Sequence, residues 1–177
     1  MPRFFVSIWR NGDNVNITEF LPADTGACLE IYNYYIENTC ATLEEEPIGL
    51  WEYVRRTAAI AEKFPFVVAR DGAQLVGFAY LDIFNPRSAY RRTADLTIYV
   101  RNDAKRGGIG AALLAKIEEL APKYGITTLV SLITDANDAS RAFHEKHGFV
   151  YEGTVHNVAE KFGKSLGVCY YRKPLKK

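Results

Sequence analysis

Ile98-Tyr99-Val100-Arg101-Asn102-Asp103-Ala104-Lys105-Arg106-Gly107-Gly108-Ile109-Gly110-Ala111-Ala112-Leu113-Leu114 decides the fold. A strand-like run, Leu96 to Val100, enters a glycine-rich turn over Arg106 to Gly110. The turn opens a helix with Leu113, Leu114, Ile117, Leu120 and Ala121 on one face. The first-turn amides of such a helix are free and point one way, and the helix dipole adds positive charge there. That end suits phosphate. Gly107, Gly108 and Gly110 carry no side chain to hold a diphosphate away, and Lys105 and Arg106 add charge.

Three phosphate-binding patterns compete for this turn. A P-loop needs G-x-x-x-x-G-K-[ST], which does not occur. A dinucleotide fingerprint needs G-x-G-x-x-G/A, but Leu113 stands at its third small position. The acyl-CoA turn R/Q-x-x-G-x-G/A fits Lys105 to Gly110, with Lys in place of Arg or Gln. A plain strand-to-helix turn remains the alternative for this segment taken alone.

Upstream, Phe4 to Trp9 and Val15 to Phe20 read as a hairpin through Asn11-Gly12. Asp24 is placed to cap a helix whose face carries Cys28, Ile31, Tyr32, Tyr35 and Ile36. Glu44-Glu45-Glu46-Pro47 breaks the chain, and a second helix follows with Trp51, Val54, Ala58 and Ala61 on one side. Phe66 to Ala69 and Leu75 to Phe84 are strands joined at Asp71-Gly72, and Asn85 to Arg92 is a polar connection. Downstream, Pro122 ends the glycine-turn helix, Thr127 to Ile133 is a strand, and Ala139 to Lys146 is a helix closed by His147-Gly148. Phe149 to Val158 and Leu166 to Arg172 finish as strands. The order gives a mixed α/β (α+β) class: an antiparallel meander with a local parallel βαβ crossover at the glycine turn.

The 177 residues suit one domain, with residues 1–13 as a strand extension. The net charge of +1 and the lack of a basic stripe argue against nucleic acid as a partner. No stretch has the length of a membrane span, so a cytoplasmic protein is expected. Cys28, Cys40 and Cys169 are odd in number and widely spaced, which gives neither a disulfide framework nor a zinc site. His144 and His147 at i, i+3 lack a third ligand nearby, so no metal is expected.

Further segments combine with the glycine turn. Ile31 to Ile36 with Thr42 and Glu46-Pro47, Phe64 to Ala69 with Val76 to Tyr80, Arg87-Ser88-Ala89-Tyr90 followed by Thr93-Ala94-Asp95, and Asn137-Asp138-Ala139-Ser140 followed by His144-Glu145-Lys146-His147-Gly148-Phe149 occur in this order. From about Asn16 to the C-terminus the chain resembles the GCN5-related N-acetyltransferases, in particular their phosphinothricin acetyltransferase branch. The resemblance implies that fold, an acetyl-CoA cosubstrate, direct acetyl transfer to a small-molecule amine, and a homodimer.

It also implies roles. Backbone groups of Ile98, Tyr99 and Val100 would hold the pantetheine arm and acetyl carbonyl, and Lys105, Arg106, Gly107, Gly108, Ile109, Gly110 and Ala111 the pyrophosphate. Asn137 and Ser140 would contact CoA; helix capping and plain surface exposure are their alternatives, and Tyr99 has a core role as its own. Asp95 stands where the branch has a catalytic Glu, as a base acting through water or as an ordinary strand-end charge. His144 is a proton donor to the thiolate or a packed ring. Arg87, Ser88, Ala89, Tyr90 and Leu43, where the branch commonly has Phe, fall on the substrate side. In the C-terminal tip Ser165 and Gly167 replace the usual aromatic and Asp. These departures keep a CoA-binding module without turnover open as a second reading, and a protein N-acetyltransferase is a third.

Overall fold

The computed structural model describes residues 6–10, 13–104 and 107–175, with side chains from residue 15 onward. Its strands are β1 (Val6–Arg10), β2 (Asp13–Glu19), β3 (Phe66–Asp71), β4 (Gln74–Ile83), β5 (Thr93–Val100), β6 (Thr128–Thr134), β7 (Val150–Lys161) and β8 (Lys164–Pro174). Its α-helices are α1 (Thr25–Asn38), α2 (Leu50–Lys63), α3 (Ile109–Leu120) and α4 (Asp138–Lys146). The strands form one sheet in the order β1-β2-β3-β4-β5-β6-β8-β7. Neighbours are antiparallel except β5 and β6, the two strands joined through α3, which run parallel. This is the mixed sheet with one local crossover that the glycine turn implied.

Both faces of the central strands are covered, so β3 and β4 read as nearly continuous apolar runs. Alternation sorts the side chains. On one face Ala79, Leu81, Ala94 and Leu96 meet Leu113, Leu114 and Ile117 of α3. On the other, Phe66, Val68 and Phe78 meet Cys28, Ile31, Tyr35 and Ile36 of α1 and Tyr53 of α2.

Three local readings are corrected. Asp24 is the N-cap residue of α1 but makes no side-chain cap bond: its carboxylate accepts from Leu21 N and pairs with Arg70 of β3, tying the turn before the helix to the sheet. The α2 stripe Trp51, Val54, Ala58, Ala61 faces outward, with Trp51 88% exposed. The helix instead buries Tyr53 and Thr57, and the Thr57 hydroxyl satisfies itself on Tyr53 O. The last hairpin turns at Phe162-Gly163, both at positive φ, so β7 and β8 are longer than the sequence pattern suggested. Ser165 therefore lies inside the hairpin, donating to Asn157 Oδ1, and Gly167 packs within hard reach of Asp135 and Thr154.

Gly77 fixes the contact between β4, β5 and the start of α3. A Cβ there would lie 2.9 Å from Tyr99 O, 3.2 Å from Leu113 Cδ1 and 3.4 Å from Ile109 Cγ2. Gly77→Ala is therefore expected to destabilise the fold by about 1–3 kcal/mol, the usual range for overpacking. Urea unfolding checks this; an unchanged midpoint would show that β5 gives way at no cost.

Candidate active site

The parallel pairing of β5 and β6 covers Thr93 with Thr128, Ala94 with Leu129 and Asp95 with Val130, and then stops. Beyond it, β5 stays on β4 through Val100, and β6 stays on β8 through Thr134. Each strand keeps its outer partner and loses the inner one, so the sheet opens. A cleft of about 640 Å³ follows this opening, lined by Leu96 to Val100, by Ser131 to Ile133, and by residues of α3 and α4.

The N-terminal turn of α3 forms one end of the cleft through Gly108, Ile109, Gly110 and Ala111. Gly108 is the N-cap at φ 79°, a left-handed conformation that glycine adopts without strain. No side chain caps this end among the described residues, so its first amides face outward at the positive end of the helix dipole. Gly110 admits the Phe143 ring, 3.4 Å from where a Cβ would sit. Gly107 is exposed beside the turn. Lys105 and Arg106 lie outside the described residues. The donor set suits a diphosphate.

Helix α4 roofs the cleft. Asn137 is its N-cap, with Oδ1 accepting from Ser140 N at 3.2 Å, so the capping alternative for Asn137 is realised while the residue also lines the cleft. Ser140 lines it too, and its carbonyl accepts from His144 Nδ1 at 2.8 Å. This bond assigns the proton to Nδ1 and leaves Nε2 as an acceptor. Nε2 is buried and has no partner among the described residues. Burial pushes the imidazole pKa down, so the ring is neutral over most of the physiological range.

The opposite face of the opening carries different chemistry. Asp95, Thr97 and Tyr99 point to the α1 and α2 side, where Tyr99 packs on Tyr32, Tyr35 and Phe78. Tyr35 donates to Val100 O at 2.6 Å, so one of the three carbonyls expected to meet pantetheine already has a donor. Tyr32 and Thr42 share a hydrogen bond of 3.1 Å, and Lys161 from the last hairpin donates to Thr42 O at 3.0 Å.

Asp95 is half-buried at the last parallel pair and sits directly opposite Asp82 of β4. Desolvation first, and the Asp82 charge second, push its carboxyl up to about 7. Arg87, Ser88, Ala89 and Tyr90 form an exposed turn before β5, with Tyr90 against Phe84. Leu43 is exposed beside Thr42. These five residues do not line the cleft. Among the described residues no group of three His, Cys, Asp or Glu is placed to hold a metal.

Residues 28–149, from within α1 to the residue before β7, match the family model described as "Acetyltransferase (GNAT) family". The chain belongs to that family. The GNAT match contains the parted strands, the glycine turn and the α4 roof. The chain is 33% identical over 150 residues to an L-methionine sulfoximine/L-methionine sulfone acetyltransferase of Pseudomonas paraeruginosa, covering 84% of this chain and 87% of that one. It is 31% identical over 154 residues to a phosphinothricin N-acetyltransferase of Alcaligenes faecalis, covering 86% and 78%. The crystal structure of a Sinorhizobium meliloti phosphinothricin acetyltransferase in complex with acetyl-CoA superposes with a TM-score of 0.87 at 31% identity, covering 91% of this chain and 88% of that one. This protein is an acetyl-CoA-dependent acetyltransferase with the GNAT fold, and the end of its cleft formed by the first turn of α3 fits the diphosphate of that cosubstrate.

Asp82, Ser131 and Lys161 were not singled out in the sequence. Register alone brings Asp82 to Asp95 and Ser131 to the point where the strands part, and no local pattern encodes register.

A carboxyl raised in the folded state binds its proton more tightly there than in the unfolded chain. From about pH 4 to 7 the native protein therefore holds a proton that the unfolded chain has lost, and stability falls as pH rises through this window. Asp95→Asn removes that loss. The variant is expected to melt above the parent at pH 8 and level with it near pH 4. A lower melting point than the parent at pH 8 would show that the ionised carboxylate is stabilised in place.

Proposed function

We propose that the chain transfers acetyl from acetyl-CoA directly to the amine of a small α-amino acid or a close analogue, with Asp95 as the base. The observation that carries this is an ionisable carboxyl poised near neutrality where β5 and β6 part, on the face opposite the α3 and α4 roof. A donor held by Gly107 to Ala111, with its pantetheine arm along Ile98 to Val100, reaches the acceptor face only through that opening. The two substrates thus meet from opposite sides of the sheet.

Asp95 takes the amine proton through a bridging water. The lone pair so freed attacks the acetyl carbon and the C–N bond forms; the C–S bond breaks with its electron pair leaving on sulfur, the nitrogen gives its surplus proton to water, and the thiolate takes one back from water to leave as the thiol. The Asp82 charge keeps Asp95 basic enough for this role. Without it the carboxyl would ionise lower and bind protons less readily. Asn137 and Ser140 approach CoA from the roof, and Arg87, Ser88, Ala89, Tyr90 and Leu43 approach the acceptor from the rim.

The acceptor class rests on the relatives, whose names specify methionine sulfoximine, methionine sulfone and phosphinothricin. The whole chain works as one transferase unit in the cytoplasm. A thiol-release screen over amino acids, their sulfone and sulfoximine analogues and polyamines tests the assignment. Turnover is expected with α-amino acids or their analogues. Asp95→Asn is expected to lose about 10²-fold in kcat, the ordinary contribution of a positioned base, with little change in acetyl-CoA affinity. Tight acetyl-CoA binding without thiol release across the panel would make the chain a binding module instead.

We also propose a homodimer. β7 is an edge strand, and Val155 and Val158 on it are about half exposed, at 49% and 52%. Exposed edges with apolar side chains are ready pairing surfaces. Light scattering at micromolar concentration is expected to give twice the 19.9 kDa chain mass; a monomer refutes it.

A further inference from the structure

Lys161 is 2% exposed, yet no carboxylate forms an ion pair with it among the described residues. Its Nζ donates to Thr42 O at 3.0 Å and lies 5.1 Å from the centre of the Phe162 ring. An ammonium carries more than one N–H, so donors are left over. Its ladder partner is Lys164, a second cation at the hairpin tip. Burial lowers the Lys161 pKa, and Cys40, Glu44 and Glu45 oppose that shift. Glu44 is held by Arg56 at 2.6 Å, and Glu45 is exposed. A buried cation without a counter-ion is costly, so this place calls for an anion from outside the chain.

The cation stands beside the acceptor face. Thr42 Oγ1 shares a hydrogen bond of 3.1 Å with the Tyr32 hydroxyl, and the Tyr32 ring meets Tyr99 edge-on at 5.3 Å. Tyr99 shares its face of β5 with Thr97 and Asp95. Thr39, Cys40 and Ala41, just before Thr42, line the cleft from the α1 side. The turn Arg87 to Tyr90 precedes β5, whereas Thr42 reaches the strand near its far end. The last hairpin and the loop after α1 thus bring one buried cation to the end of β5 opposite that turn.

The charges on this face match a zwitterion. Asp82 and Asp95 stand opposite each other and favour the ammonium end of an amino acid, but they repel its carboxylate. Lys161 supplies the opposite sign. A charge-assisted hydrogen bond in a desolvated place is among the strong ones, and an amine without a carboxylate has nothing to form it with.

We propose that Lys161 binds the α-carboxylate of the acceptor and so makes the enzyme select amino acids over amines that lack one. This rests on the reading that an α-amino acid or a close analogue accepts the acetyl group, and it names the residue that recognises the acid. Lys161 takes no part in proton transfer. It positions the acceptor, and its donation to Thr42 O holds the ammonium in place for that contact.

The test compares methionine sulfone with its decarboxylated amine as acceptors, at one pH and with saturating acetyl-CoA. Lys161→Gln keeps a donor for Thr42 O and removes the charge. It is expected to lower kcat/KM for methionine sulfone roughly 10- to 100-fold more than for the amine, mainly through KM, the scale of one hydrogen bond between charged groups. Norleucine, which has the carboxylate and no sulfone, loses as methionine sulfone does. Lys161→Arg keeps the charge and recovers part of the loss. A residue that only pinned the hairpin to the loop would lower turnover of both acceptors together.

An equal loss for methionine sulfone and its amine overturns the carboxylate contact and leaves the transferase reading intact. A loss confined to acceptors with a sulfone also overturns it, and gives Lys161 to the sulfone oxygens. No thiol release from the parent with any amino acid overturns the acceptor class, and the contact with it. Ligand-free melting curves check that the variants fold, and Lys161→Met repeats the comparison if Lys161→Gln does not. If neither folds, the parent decides: the acid left when methionine sulfone loses its amine must inhibit competitively against the acceptor, and the carboxamide of that acid must not.

Discussion

The structure depends on β5 and β6 parting after three paired residues. A sheet does not open without consequence, because every backbone amide and carbonyl that loses its ladder partner needs another. Here the opening is held from outside. β4 runs beside β5 to Val100 and β8 beside β6 to Thr134, so each parted strand keeps one full ladder. Tyr35 then donates to Val100 O across the gap, and Thr134 Oγ1 donates to Cys40 O at 2.6 Å, fastening the loop after α1 to the far strand. Both fasteners come from the α1 side. The α3 and α4 side is left with free amides and orphaned side chains, and its donor set suits the diphosphate of the cosubstrate.

The same opening explains why two carboxylates face each other at its apex. Like charges directly opposite on neighbouring strands destabilise a sheet. Neither Asp82 nor Asp95 is relieved by an ion pair among the described residues. The protein is thus less stable at pH 8, where Asp95 is ionised, than it would be without that charge. A base that was already comfortable as an anion would have little reason to take a proton from an amine.

Much of this was legible in the chain. The glycine turn gave the local crossover because strand, turn and helix each carry a short-range pattern, and the cleft residues Ile98 to Val100, Gly108 to Ala111, Asn137 and Ser140 do come together. What was not legible depended on pairing across the sheet. Asp82 and Ser131 look ordinary in sequence, and only register sets one against Asp95 and the other where the strands part. The α2 stripe failed for a related reason. Trp51 and Val54 have apolar side chains at helical spacing, but periodicity does not say which stripe faces inward, and Tyr53 with a self-satisfied Thr57 fills the inner face instead. The hairpin tip failed because Phe162 at positive φ is an unusual residue for a tight turn, where Asn or Gly is the ordinary signal.

The two faces of the opening also divide the problem of acyl transfer. Amine and thiolate make opposite demands. One must lose a proton before attack, and the other must leave bearing negative charge. A single pocket holding a strong base would serve the first and repel the second. Here the carboxylates point to the α1 and α2 side, while a neutral hydroxyl and a neutral imidazole line the α3 and α4 side. The sheet itself lies between them as an apolar partition, broken only where the strands part. Alternation along β5 and β6 is sufficient to produce this. Asp95 and Ser131 stand one register step apart on neighbouring strands, and a strand turns successive side chains to opposite faces. One step of register therefore puts the raised carboxyl of Asp95 and the unpartnered hydroxyl of Ser131 on opposite faces of the sheet.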